Sequence, residues 1–402
     1  MVPSRLDLSS EVLPRRRSDL RLCCAMCAAD PGTARQLLES REESVDWLAL
    51  IEAAKSYRLE MLLHRAVDAH FADFVSPPAR QALRSLYADN LARGQAMTAE
   101  LLHLLGRLAS AQIPAIAFKG PVLGAQLFGD LGLRIYGDLD LLVRERDIAQ
   151  VTTIMVDLGY QQGAMSLGWE RSFMRAGGAG VDVHWSISDK LHQFPLNADE
   201  LWARRTTTAF GATRVPALCA EDTLLMVCFN GLTEDWQRCD RIADIAELMR
   251  DSSAIEWPKF LDMCRRRGCE RLVLVGLHLA KELFLVKLPN VVELRLASHR
   301  KALGRAGYTI DDFIDFMVTS TQRRSGLDYW RHVIRMRERL WQKIPYFQSF
   351  AYSVFKPKDD DAPWQRTTRQ VLYRVLRLPL LGVKHGLRVV GHASLKQTDN
   401  RP

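Results

Sequence analysis

The sequence predicts an α/β protein in which a small sheet is flanked by N-terminal and C-terminal helical domains. Two observations carry this reading. Apolar residues recur at spacings of three and four from Ala34 to Ala111 and again after Ala220, the period of an amphipathic helix. Between these regions the period shortens, and the glycine-dense stretch FKGPVLGAQLFGDLGLRIYGDLDLLV (118–143) sets Asp138 and Asp140 one residue apart at the head of an apolar run. In a strand, residues i and i+2 share a face, so these two carboxylates project side by side.

Taken in order, residues 1–32 are punctuated by Pro, Arg and Ser and are expected to be poorly ordered. A helical domain follows over 33–111, with VDWLALIEAAKSYRLEMLLHRAV and, after SPPAR, QALRSLYADNLARGQAMTAELLHLLGRLASA. Pro77 and Pro78 suit a first helical turn, whose N–H groups have no partner within the helix. The α/β core is expected over 112–218. There IPAIAF reads as a strand ending at Lys119-Gly120, and PVLGAQLFGD as a helix with Pro121 in its first turn. YGDLDLLV is a second strand, RERDIAQVTTIMVDLGY a helix closed by Gly159, and GVDVHWSI a third strand. A second helical domain is expected over 219–307, from EDTLLMVCFNGL through CERLVLVGLHLAKELF, and a basic extension over 308–402.

Composition narrows the class. Of 402 residues, 48% are hydrophobic and 25% charged, which is globular and not disordered usage. The net charge of +8 is uneven: residues 321–402 hold 17 Lys and Arg against 6 Asp and Glu. Attraction to an anionic surface therefore belongs to the tail, where QVLYRVLRLPLLGVKHGLRVVG is basic and amphipathic. The eight cysteines are scattered, and Cys24-Ala-Met-Cys27 lacks a second pair to complete a zinc site, so buried reduced thiols and a cytoplasmic compartment are expected. RRRSDLRLCCAMCAA has a short apolar run broken by Asp19 and Arg21, so an export signal is not expected. No run of eighteen apolar residues occurs, so no membrane span is expected.

Four features converge on the small sheet. Asp138 and Asp140 repel each other unless a cation lies between them, and oxygen ligands suit Mg²⁺ or Mn²⁺. Asp182, in VDVHW, adds a carboxylate mid-strand among apolar neighbours, and His184 shares its face. If that strand lies beside the one carrying Asp138 and Asp140, three carboxylates meet, as in two-metal phosphoryl transfer. Lys119-Gly120, at a strand-to-helix turn, places a lysine and a helix N-terminus where phosphate oxygens can be held. Plainer readings stand beside these: an Asp-x-Asp pair can be merely solvated, Lys119 can pair with an aspartate, and His184 can orient Asp182 or pack beside Trp185.

The order FKG, RIYGDLDLLV and VDVHW resembles the nucleotidyltransferase superfamily. In detail it is similar to the bacterial family of uncharacterised nucleotidyltransferases, and more distantly to abortive-infection toxin nucleotidyltransferases. The likeness runs from about Val45 to WQRCDRIADIAELM, roughly half the chain, and leaves out the basic tail. It implies a mixed sheet, with Asp138, Asp140 and Asp182 as catalytic metal ligands for two Mg²⁺ ions, Mn²⁺ being the alternative. It also implies Lys119, Gly120, Arg134 and His184 as phosphate- or substrate-binding groups, although Arg134 could instead brace the aspartates. Lys119-Gly120-Pro121 departs from the common Gly-Gly or Gly-Ser turn, and Asn230-Gly231 stands where the family commonly has His-Gly. Trp236 and Asp244 match the family's helical pattern.

The activity so implied is Mg²⁺-dependent transfer of a nucleoside monophosphate from an NTP to an unidentified hydroxyl or phosphate acceptor on a small molecule, an RNA or a protein. Two other classes compete. A glycosyltransferase could hold a nucleotide-sugar through Asp-x-Asp and Mn²⁺, but it would need several strands before the pair, where only one is convincing. A non-catalytic nucleotide-binding sensor or scaffold would suit the helical flanks and the basic tail.

Overall fold

A computed structural model describes residues 12–41, 44–189, 192–210, 213–305, 310–319 and 332–355. Where the sequence predicts poor order, residues 12–26 instead form helix α1 (Val12–Met26), which buries Leu20, Leu22, Cys23, Cys24 and Met26. The apolar stripe is masked in the sequence by arginines that find acidic partners only in three dimensions. Arg17 and Arg21 pair with Asp315 and Asp311 of the helix Ile310–Thr319, distant in sequence. After α2 (Gly32–Glu39), α3 (Trp47–Tyr57) opens at Asp46, whose carboxylate accepts from the Ala49 N–H. It stops at Arg58, which turns left-handed at φ 58°, and α4 (Glu60–Ala66) leaves in a new direction. The 34-residue α5 (Pro77–Ser110) starts at the expected proline pair.

Five strands form a mixed sheet: β1 (Ile116–Ala117), β2 (Asp138–Leu142), β3 (Gln161–Leu167), β4 (Glu170–Met174) and β5 (Gly180–His184), in the order β1-β2-β5-β4-β3. β2 and β5 are parallel, and the other pairings are antiparallel. α6 (Gly120–Phe128) joins β1 to β2, and α7 (Ile148–Asp157) follows β2. One face of the sheet is apolar. Leu139, Leu141, Phe173, Val181 and Val183 pack there with Leu101, Leu104 and Leu108 of α5 and Val151 and Met155 of α7. Burial of that face fixes register, because a one-residue slip would turn every leucine to the other side. Glu100 of α5 pins the loop before β5, accepting from Tyr160, from Arg175 at 2.8 Å and from the Ala179 N–H at 3.0 Å. The β3–β4 hairpin is absent from the sequence reading because QQGAMSLGWERSFM has little β-branched content.

Beyond the sheet come α8 (Ala198–Arg204) and an antiparallel hairpin of β6 (Thr206–Phe210) and β7 (Thr213–Ala217). A run of helices follows, α9 (Ala220–Thr233), α10 (Cys239–Leu248), α11 (Trp257–Arg267), α12 (Glu270–Phe284) and α13 (Asn290–Arg305), and α14 (Ile310–Thr319) lies within the stretch read as a basic extension. Gly231 of α9 is required by contact: a Cβ there would lie 2.2 Å from the Trp236 ring. All eight cysteines are free thiols, and all but Cys219 are buried. Among the described residues no helix is long and apolar enough to cross a membrane.

The chain divides into two units, 1–189 with 194–323, and 190–193 with 324–402. The smaller one contains α15 (Leu340–Phe355) and is organised around buried Arg337, which donates to the His192 carbonyl and, at 2.8 Å, to the Tyr346 hydroxyl. The basic amphipathic segment predicted after residue 356 lies outside the described residues.

Candidate active site

The parallel pairing of β2 and β5 sets Asp138 opposite Gly180, Asp140 opposite Asp182 and Leu142 opposite His184. Strand alternation therefore brings Asp138, Asp140, Asp182 and His184 to one face, with the leucine and valine core behind them. The Lys-Gly turn is stitched to the same strand. The Phe118 N–H donates to the Asp140 carbonyl at 3.4 Å, and Gly120 opens α6 at φ +53°. A Cβ at Gly120 would lie 2.9 Å from the Asp138 carbonyl oxygen, so both conformation and space demand glycine. Lys119 extends from this turn and donates from Nζ to Asp140 Oδ1 at 2.8 Å.

His184 lies on the other side of Asp140, its Nε2 at 3.0 Å from the same Oδ1. Its Nδ1 is 3.4 Å from an oxygen of Glu170, which stands directly across from it on β4. Phe118 and Trp169 clamp the imidazole at ring-centre distances of 5.1 and 5.3 Å. Glu170 is a fourth carboxylate on the polar face, and sequence reasoning missed it. Only the β3–β4 hairpin reveals its position, and no local motif marks that hairpin.

The carboxyls are tuned in opposite directions. Burial alone would raise Asp140, but the Lys119 charge and the His184 hydrogen bond hold it well below the usual carboxylate range. Asp138, at the head of β2, keeps some surface in solvent. Loss of hydration around its carboxyl raises it nonetheless, with the Asp140 charge adding and Lys119 opposing. Glu170 is likewise raised by burial, against the pull of His184.

Arg134 does not join this group. It is 5% exposed, and its Nε and Nη2 pair with Asp244 of α10 at 3.0 to 3.2 Å, the bracing alternative among its expected roles. Asp244 is correspondingly structural. Asn230 shows no contact to the aspartates and donates to the Met226 sulfur. A second basic group comes from the start of α10: Arg238 and Arg241 pair with Asp240 and Glu234, and the Arg241 charge reaches Asp138, opposing its upward shift.

Asp140, Asp182 and His184 each offer a ligand atom within 4.8 Å of the others, and among the described residues no other such group exists. One cation with bonds of about 2.1 to 2.4 Å can span that distance. Asp140 Oδ2 is buried with no hydrogen-bond partner, an acceptor that a cation would satisfy, so the residues present fit a divalent ion. No curated protein and no solved structure matches the chain. The profile of a family described as uncharacterised nucleotidyltransferase matches residues 43–285, which takes in the sheet, the Lys-Gly turn and the bracing helices. With well over half of its length so matched, the chain belongs to the uncharacterised nucleotidyltransferase family.

Proposed function

We propose that this protein transfers a nucleoside monophosphate from an NTP to a hydroxyl or phosphate acceptor. The acceptor oxygen attacks the α-phosphorus, the bond to the bridging oxygen breaks, and pyrophosphate leaves. The observation that carries this reading is the asymmetry of buried Asp140: Lys119 and His184 both occupy Oδ1, while Oδ2 has no hydrogen-bond partner. In this reading Asp138, Asp140 and Asp182 hold two divalent ions, Mg²⁺ or Mn²⁺. Such ions, when bound, lower the pKa of the acceptor and neutralise charge on the leaving group. Lys119, with 24% of its side chain exposed, keeps Asp140 ionised and is within reach of phosphate oxygens. The first turn of α6, in which Pro121 has no N–H, adds the N–H groups of Gly120 and Val122 for the same anion. Arg134 braces the chain just before β2 through Asp244 and touches no substrate.

The test is incubation of the protein with each α-labelled NTP and a divalent cation, alone and with cell extract, followed by separation of labelled protein, RNA and small molecules. A labelled product lost in Asp138→Asn and Asp140→Asn establishes the transfer and its acceptor class. Cation-dependent NTP binding without any product would instead make the protein a nucleotide sensor.

A further inference from the structure

His184 is usually the kind of residue that packs beside a carboxylate, yet its surroundings match a metal-bound imidazole. It is 2% exposed, and its two ring nitrogens face two different carboxylates, Asp140 and Glu170. A neutral imidazole that donates from Nε2 to Asp140 turns the lone pair of Nδ1 toward Glu170, and a ring protonated on both nitrogens still meets Glu170 only at 3.4 Å, without a hydrogen bond. The structure records that mismatch: Nδ1 is buried without a hydrogen-bond partner, as is Asp140 Oδ2. One rearrangement satisfies both atoms. The ring proton moves to Nδ1 and is donated to Glu170, Nε2 presents its lone pair, and a cation takes Nε2 together with Asp140 and Asp182. Metal-bound histidines commonly donate their second N–H to a carboxylate in this way. Phe118 and Trp169 pack against the ring and limit its rotation.

We propose that His184 is a ligand of one of the two divalent ions, in a mixed nitrogen–oxygen site with Asp140 and Asp182, and that Glu170 is the carboxylate positioning it. This rests on the reading of the sheet face as a divalent-cation site and refines which ion it takes. Mg²⁺ holds to oxygen ligands and water, whereas Mn²⁺, itself at home among carboxylates, opens the first-row transition series whose later members imidazole suits, so a mixed nitrogen–oxygen position favours Mn²⁺ over Mg²⁺.

The test uses the full-length protein and Mn²⁺ alone, with neither nucleotide nor acceptor. Electron spin-echo modulation of bound Mn²⁺ is recorded on unlabelled protein and on protein carrying ¹⁵N only in histidine. A nitrogen modulation that changes with the label, and that is absent from His184→Gln, is the expected result. Glu170→Gln, at a more exposed strand position, should weaken Mn²⁺ binding by about 10- to 100-fold while keeping the nitrogen signature. Mn²⁺ bound without a histidine nitrogen, no Mn²⁺ bound at all, or an unchanged affinity in Glu170→Gln would each overturn the assignment. Label transfer measured separately keeps the two conclusions apart. Transfer without a nitrogen signal leaves the enzyme and removes this ligand, and a nitrogen signal without transfer does the reverse.

Discussion

The Arg134–Asp244 and Lys119–Asp140 pairs are both cation–carboxylate contacts drawn out of water, and both anchor β2. Their satisfaction differs. Asp244 accepts from Arg134 through both oxygens in a bidentate fork. Asp140 receives Lys119 and His184 on one oxygen and nothing on the other. Burial pushes Asp244 up against the pull of Arg134, while Asp140 is held low despite burial. A saturated pair has no capacity left for a ligand and serves as a brace. An unsaturated one keeps a buried charge open at a cost that binding a cation relieves.

That contrast is broken most directly by Asp140→Asn. It should reduce nucleotidyl transfer by at least about 10³-fold, roughly 4 kcal/mol in the barrier, in a variant that still folds. Activity retained in this variant would sink the site. Asp244→Asn should behave oppositely. Leaving Arg134 charged and unpaired in the core costs about 3–5 kcal/mol in urea titrations, with transfer preserved in the folded fraction. The double change Arg134→Met with Asp244→Leu should recover part of that loss, and if it does not, the unpaired charge is not the cause. Gly120→Ala tests the turn between the two pairs. Its left-handed φ and the near carbonyl of Asp138 predict a loss of about 1–3 kcal/mol. Activity should fall further than stability does, because Lys119 is displaced from Asp140.

The smallest effect concerns a third buried carboxylate. Burial raises Asp222, paired with Arg204, to about 6. The folded state then holds this proton more tightly than the unfolded chain, so the contribution of Asp222 to stability falls as pH rises from about 4 to 6. Asp222→Asn should flatten that slope by about 1–2 kcal/mol in melts across the window. Asp140 has the opposite sign. Its contribution is full above the unfolded carboxylate value and is lost as pH falls toward its depressed folded value. Asp140→Asn should therefore lessen acid sensitivity where Asp222→Asn changes the mildly acidic range, and equal slopes in the two variants would erase the distinction.

Much of this was legible in the residues. The strand spacing of Asp138 and Asp140, the proline start of α5 and the turn at Lys119-Gly120 are local signals, each set by backbone geometry over a few positions. The β3–β4 hairpin was not legible, because Gln161–Leu167 and Glu170–Met174 are strands by pairing and burial more than by propensity. Glu170 disappeared from the site with them. Helix α1 was hidden for a related reason, since its arginines look like a solvated run until α14 supplies their acidic partners.

By itself, the sequence determined much of the alternation of strand and helix, the side-by-side placement of Asp138 and Asp140 on one strand and a glycine at the strand-to-helix turn. These follow from periodicity and sterics, which act over a few residues. Tertiary structure alone decided the fate of each charge. Arg134 and Lys119 are equally plausible phosphate ligands in sequence. Only packing gives Arg134 a carboxylate 110 residues away that takes its Nε and Nη2 in a fork, and leaves Lys119 on an aspartate with one oxygen to spare. Whether a buried charge braces or binds depends on which partners fill its remaining valences, and those partners come from distant parts of the chain.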